Sequence, residues 1–360
     1  MIKTVKKIIS YIMVCVLFLS MCIPCEAAQT STATASDANA TTGFPQITST
    51  SAIIMDAQSG QIIYEKNSHT RQYPASITKI MTAYLAIKNG DLNSTITMSD
   101  AAVWGIDRNS SHIALDVGEE ISMSDALYAV MLMSANEAAW AIAEQVSGSL
   151  ENFVQLMNDT AQSLGCKDTH FTNANGLHDP DHYTTAYDMA LITKEALTSK
   201  TFREYASETY HEIPPTNMNN ETRYLTQGNR MMLSNSEYYY PACQGGKTGY
   251  TDDAGGTLVV WAEKNDMQLI CVTMGAPDNA TNYTDSIALF NYVFNNYSNT
   301  TLLSDYEFDA EAATTAQNFL NDYYGCLEWE VVKISEPCIC PLTITSHLYL
   351  RTMPTEPSCK

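Results

Sequence analysis

The chain has 360 residues, 45% of them apolar and 16% charged, which gives room for two ordinary domains and excludes a disordered polymer. Nineteen Lys and Arg face 40 Asp and Glu, and the net charge of −21 argues against a nucleic-acid partner, because phosphate binding needs a basic face. A mean hydropathy of −0.16 with one apolar run excludes a multi-span membrane protein.

That run opens the chain. Lys3, Lys6 and Lys7 precede an apolar core from Ile8 to Leu19, and the small residues Ala27 and Ala28 follow. The pattern predicts a secretory signal over residues 1–28 and an exported, extracytoplasmic protein. Its removal takes away three lysines and one glutamate, so the mature chain carries −23. It also removes three of the ten cysteines, leaving an odd seven that cannot all pair within one chain. Cys166, Cys243 and Cys271 read as buried thiols, and the tail cysteines Cys326, Cys338, Cys340 and Cys359 as extracellular disulfides of open pairing.

Residues 29–43 are small and polar and predict a flexible linker. Ser51–Asp56 and Gln61–Glu65 then flank a four-residue turn, the signal of a β-hairpin. After Pro74, apolar residues at Ile77, Ile80, Met81, Tyr84 and Leu85 predict a helix. Two more helical stretches cover 122–148 and 149–165, with Ser122 and Asp125 as a capping pair and Gly148 and Gly165 as stops. Thr257–Ala262 and Gln268–Met274 read as strands, followed by a helix near Asp285–Phe294. Strands, a helical middle and strands again predict an α+β domain whose first and last strands share one antiparallel sheet. The pattern weakens near Ser298, which sets the domain at 44–298 and leaves 299–360 as a short C-terminal region of uncertain fold.

Three short motifs carry chemistry. In Ser76-Ile77-Thr78-Lys79, positions i and i+3 share a helix face, so hydroxyl and amine can meet. Serine needs a base, and a lysine near its reference pKa of about 10.4 is protonated. Lowering it by about 3 units costs about 4 kcal/mol, which burial, a helix N-terminus and a second cation can supply. Ser134-Ala135-Asn136 offers a hydroxyl and an amide to relay a proton and hold a substrate amide. Lys247-Thr248-Gly249 offers the second cation, a hydroxyl for a carboxylate and room for a substrate strand. A phosphate-cradling loop is excluded there because Pro241 stands where it needs glycine.

In this order the three motifs resemble those of the low-molecular-mass penicillin-binding proteins, the serine D-alanyl-D-alanine carboxypeptidases. Further stretches carry the likeness, among them PASITKIMTAYLA, FTNANGL and GGKTGYTDDAGG. The resemblance implies a β-lactamase/transpeptidase-like fold and removal of the terminal D-alanine from peptidoglycan pentapeptide stems through a Ser76 acyl-enzyme. Lys79 would take the Ser76 proton and Ser134 would pass one to the leaving group. Asn136, Lys247, Thr248, Gly249 and Tyr250 would bind substrate, with the Ser76 and Tyr250 amides as oxyanion hole. β-Lactams would trap Ser76, and neither cofactor nor metal is implied. Relatives often have histidine at Asn175, and some have an arginine near Gln268 that helps hold the substrate carboxylate.

Two alternatives differ in turnover: a β-lactamase, or a slow wall-binding or β-lactam-sensing relative. Ambler class A β-lactamases place a glutamate a few dozen residues beyond the S-x-N motif, and here none stands between Glu151 and Glu195. No G-x-S-x-G elbow supports a Ser-His-Asp hydrolase. Pro180 separates His178 from His182, so these two do not form a helical metal pair, and the segment reads as a polar loop at the cleft. Residues 299–360 show no basic amphipathic stretch, so a membrane tether is left open.

Overall fold

Five strands form an antiparallel sheet, in spatial order Ile62–Lys66, Ser51–Asp56, Met267–Ala276, Gly255–Lys264 and Cys243–Thr251. In chain order the first elements are β1 (Ser51–Asp56), β2 (Ile62–Lys66), a 3-10 turn (Ala75–Thr78) and α1 (Lys79–Asn89). Next come β3 (Thr95–Thr97), α2 (Asp100–Trp104), β4 (Glu120–Ser122), α3 (Met123–Leu132), α4 (Asn136–Ser147) and α5 (Leu150–Ser163). After α6 (Ala186–Ala196) and α7 (Lys200–Ser207), a ribbon of β5 (Tyr210–Ile213) and β6 (Arg223–Thr226) leads into β7 (Cys243–Thr251), β8 (Gly255–Lys264) and β9 (Met267–Ala276). The last elements are α8 (Asn279–Asn296), β10 (Tyr297–Thr300) and β11 (Cys338–Pro341), the last two paired antiparallel. This computed structural model describes residues 43–300 and 338–341, within the unit Thr41–Lys360. The expected signal, nearly all of the linker, and Cys326 and Cys359 lie outside the described residues.

The sheet is covered on both faces. Ile53 and Met55 of β1 point with Val259, Trp261, Ile270 and Val272 into a core shared with the central helices. Ala52 and Ile54 point the other way, with Leu258, Val260 and Leu269, onto Leu289, Phe290 and Val293 of α8. All six residues of β1 are therefore buried, which is why the strand reads as an apolar run rather than an alternation. The first and last strands do pair, Ile53 opposite Val272 and Ile54 opposite Cys271. The α+β architecture is thus the one the order of elements predicts.

Two details differ from expectation. Residues Lys79–Ala86 of α1 are all buried, so this helix is enclosed on every side and not merely apolar along one stripe. Of the three cysteines with described side chains, all free, only Cys271 is fully buried, while Cys166 and Cys243 are half-buried. The capping of α3 follows the sequence: Ser122 Oγ accepts the Asp125 amide at 2.9 Å.

The helical half rests on large apolar anchors such as Phe153 of α5, which has no exposed surface. Phe153→Ala is expected to lower unfolding stability by about 3–5 kcal/mol, read as an earlier midpoint in a urea titration with an unchanged slope.

Candidate active site

Ser76 and Lys79 do not share one α-helix. Ser76 lies in the 3-10 turn, and Lys79 is the first residue of α1. A 3-10 turn has three residues per turn, so i and i+3 eclipse, and Lys79 Nζ lies 3.0 Å from Ser76 Oγ. Ala75, just before the serine, has φ +51°, a left-handed conformation that costs a non-glycine residue about 1–3 kcal/mol. The surroundings enforce it. Thr257 Oγ1 of β8 donates to the Pro74 carbonyl at 2.8 Å. Gly176 packs so closely that a Cβ there would sit 1.9 Å from the Ala75 carbonyl oxygen. On the other side β7 passes over the turn, and a Cβ on Gly249 would lie 2.7 Å from the Ser76 backbone nitrogen.

Lys79 is completely buried. Besides Ser76, its Nζ meets Asn136 Oδ1 at 2.7 Å and the Asn175 carbonyl at 2.5 Å. Both partners are acceptors, because Asn136 Nδ2 faces the other way and donates to Ser110 Oγ at 2.8 Å. Ser110 Oγ can accept there because its own proton goes to the Asp107 carbonyl. A neutral amine has two protons and one lone pair. Its protons satisfy Asn136 and Asn175, and its lone pair is left for the Ser76 hydroxyl.

Electrostatics favour that neutral form. Burial first, then the nearby Lys247 cation, push Lys79 well below the ordinary lysine range, while Glu137 pulls it partly back. Lys247, on β7 and only 2% exposed, is itself pushed down to about 7 by burial. Its Nζ donates to the Thr248 carbonyl at 2.8 Å. Thr248 borders Gly228, whose amide donates to the Leu132 carbonyl at the end of α3 at 3.1 Å.

Ser134 sits in the turn between α3 and α4 with φ +59°, and its Oγ is buried with no hydrogen-bond partner among the described residues. A strained, unpartnered buried hydroxyl is the kind of group a site keeps in reserve. Tyr250 follows Gly249 on β7, and its side chain is 52% exposed. Ser76, Lys79 and Asn136 are thus in direct contact, Gly249 abuts Ser76, and Lys247 acts on Lys79 through charge.

Several groups have contacts here that the sequence did not assign. The Asn175 contact is made by its backbone, so a different side chain there leaves the contact possible. Ser110 and Glu137 join the site from an irregular loop and from the residue after Asn136. The segment expected to be a polar cleft loop contains a buried His182 instead. His182 Nδ1 accepts the Thr172 amide at 3.0 Å, so its Nε2 donates to Thr78 Oγ1 at 2.9 Å. Burial pushes it down to about 3, and it stays neutral. His178 faces Asp253 at 3.5 Å, a different partner from those of His182. Gln268 is not at the site: it pairs with Glu263 at the far end of β9 and lines a cavity of about 400 Å³ with Lys194 and Arg203.

Titrating the lysine side chains by NMR tests the electrostatics directly. Lys247 is expected to titrate near about 7 and Lys79 well below the usual range. Lys247→Met, which removes the neighbouring cation, should move Lys79 upward.

A family model described as D-alanyl-D-alanine carboxypeptidase matches residues 36–278. The D-alanyl-D-alanine carboxypeptidase DacF of Bacillus subtilis is 35% identical over 250 residues, covering 69% of this chain and 62% of that protein. DacA of Haemophilus influenzae is 36% identical over 266 residues, covering 70% and 63%. The chain therefore spans a little under two thirds of the length of these relatives. Among solved structures, the D-alanyl-D-alanine carboxypeptidase of Mycobacterium tuberculosis H37Rv superimposes with a TM-score of 0.64 at 26% identity, covering 70% of this chain and 93% of that one. The Streptomyces K15 DD-transpeptidase gives a TM-score of 0.64 at 25% identity, covering 69% and 98%. With the matched segment spanning all three motifs, the chain belongs to the D-alanyl-D-alanine carboxypeptidase family.

Proposed function

We propose that the chain is a serine-type D-Ala-D-Ala carboxypeptidase that trims the terminal D-alanine from peptidoglycan stem peptides, working outside the cytoplasm after export. The observation that carries this is the fully buried Lys79 amine 3.0 Å from Ser76 Oγ. In the proposed reaction Ser76 Oγ attacks the carbonyl of the D-Ala-D-Ala bond while its proton passes to Lys79. The developing oxyanion is met by the backbone N–H groups of Ser76 and Tyr250, an arrangement in which each donor is worth about 3–4 kcal/mol. The C–N bond then breaks, and Ser134 gives its proton to the departing D-alanine amine and takes up in return the one held by Lys79.

In this scheme Asn136 holds Lys79 through its Oδ1 and is assigned to position the substrate peptide, for which its Nδ2 must leave Ser110. Lys247 and Thr248 meet the terminal carboxylate. Gly249 lets the substrate strand run close to the nucleophile, consistent with the 2.7 Å that a Cβ there would leave to Ser76 N. Water finally cleaves the acyl-enzyme, returning Ser76 to its hydroxyl form. We place this chemistry in a catalytic domain of residues 44–298, with 299–360 as a short C-terminal region that begins within β10.

A β-lactam presents the same carbonyl and is expected to acylate Ser76. Slow release is expected too, because no glutamate between Glu151 and Glu195 is available to activate a deacylating water in the class A manner. No helix among the described residues is long and apolar enough to cross a membrane.

Incubating the protein with a fluorescent penicillin and with diacetyl-Lys-D-Ala-D-Ala separates the alternatives. Stable labelling with D-Ala release is the expected result; rapid loss of label would indicate a β-lactamase, and labelling without release a slow sensor. Ser76→Ala should abolish labelling, and persistent covalent label in that variant would refute the nucleophile. Gly249→Ala should slow labelling by about 100-fold, since displacing the reacting groups by about 1 Å has that cost.

A further inference from the structure

Glu137, the second residue of α4, is completely buried beside the groups just described. Its Oε1 accepts the Ile113 amide at 2.7 Å, while its Oε2 has no hydrogen-bond partner among the described residues. An ionised carboxylate so enclosed needs positive charge nearby, because desolvation of an unpaired anion is costly. The charged and titratable groups around Lys79 are Lys247 on β7, Glu137 on α4 and the neutral His182 in the segment before α6. The Lys79 amine is therefore acted on by a second buried amine and by a buried carboxylate, with opposite effects.

Glu137 also has a mechanical connection. The Ile113 peptide is held at both ends, its N–H by Glu137 and its carbonyl by Arg223 Nε of β6 at 3.0 Å. Arg223 is itself fixed by a two-pronged bond to the buried Glu119, at 2.7 and 3.0 Å. Three residues upstream, the same loop presents Ser110 Oγ to Asn136 Nδ2, and Ser111 accepts the Asn136 backbone amide at 2.9 Å. An amide whose nitrogen is held this way must turn its oxygen toward Lys79.

We propose that Glu137 is a positioning residue of this site: its carboxylate is the buried counter-charge to Lys79, and its grip on Ile113 sets the loop that orients Asn136. The proposal rests on the carboxypeptidase reading above for the role of Lys79 as base. The carboxylate favours the ammonium form of Lys79, and so sets how far the pH must rise before the base is free. Too little negative charge would weaken the amine as a base, and too much would leave it protonated.

The test is the pH dependence of Ser76 acylation by a fluorescent penicillin in the full-length protein, with folding checked by melting curves. Glu137→Gln keeps a carbonyl oxygen for Ile113 and removes the charge. The acidic limb of its profile should move to lower pH by roughly one unit. Glu137→Asp keeps the charge and shortens the reach, so its limb should stay at the wild-type pH while the rate falls. A group with only a structural role would change the rate at every pH and leave the limb in place. A Gln profile whose limb superimposes on the wild type therefore overturns the proposal. Should the Gln variant not fold, an Asp variant whose limb moves down by a full unit overturns it instead. Absence of labelling in the wild type would refute the carboxypeptidase reading itself, and with it the role of Lys79 assumed here.

Discussion

The constraint on which the rest depends is the removal of the Lys79 amine from water. A lysine placed at the start of an ordinary surface helix would be solvated, charged and useless as a base. Here α1 is enclosed by the sheet and the surrounding helices, and Lys79 has no exposed surface. Lys247 arrives from β7 and makes protonation costlier still. The fold thus spends part of its packing energy to hold two buried lysines, both pushed below the ordinary lysine range.

Geometry is fixed with the same economy. The 3-10 turn aligns Ser76 with Lys79, and its strained Ala75 is held by Thr257, Gly176 and β7 on different sides. Strain that is this heavily surrounded marks a place where a different conformation would be easier but less useful. A second left-handed residue, Ser134, carries the other candidate proton carrier. The two hydroxyls therefore sit on stiff turns braced by regular elements, and each needs little reorganisation before reacting.

Much of this was legible in the sequence, because it rests on local pattern. The apolar runs of β1, β8 and β9, the Ser122 cap and the long final helix follow from periodicity and end signals. The three motifs identify Ser76, Lys79, Asn136, Lys247 and Gly249 as neighbours, since their residue types suit one chemistry only when combined. What escaped was non-local. The ribbon of β5 and β6 has only four residues per strand, too few to show a period, yet its Arg223 fastens the loop beside the site. Ser110 and Ile113 lie in irregular chain, where no spacing rule applies. The Asn175 contact is a backbone carbonyl, which no side-chain identity reveals. That Gln268 stands beside Glu263, away from the site near which some relatives carry an arginine, is visible only in the register of β9 against β8.

Neutron diffraction from a deuterium-exchanged crystal near pH 8 reads the protonation state on which all of this turns. Two deuterium atoms on Lys79 Nζ, directed at Asn136 Oδ1 and the Asn175 carbonyl, with the Ser76 deuterium pointing at the nitrogen, is the predicted result. Three deuterium atoms on Lys79 Nζ, one of them directed at Ser76 Oγ, would contradict it.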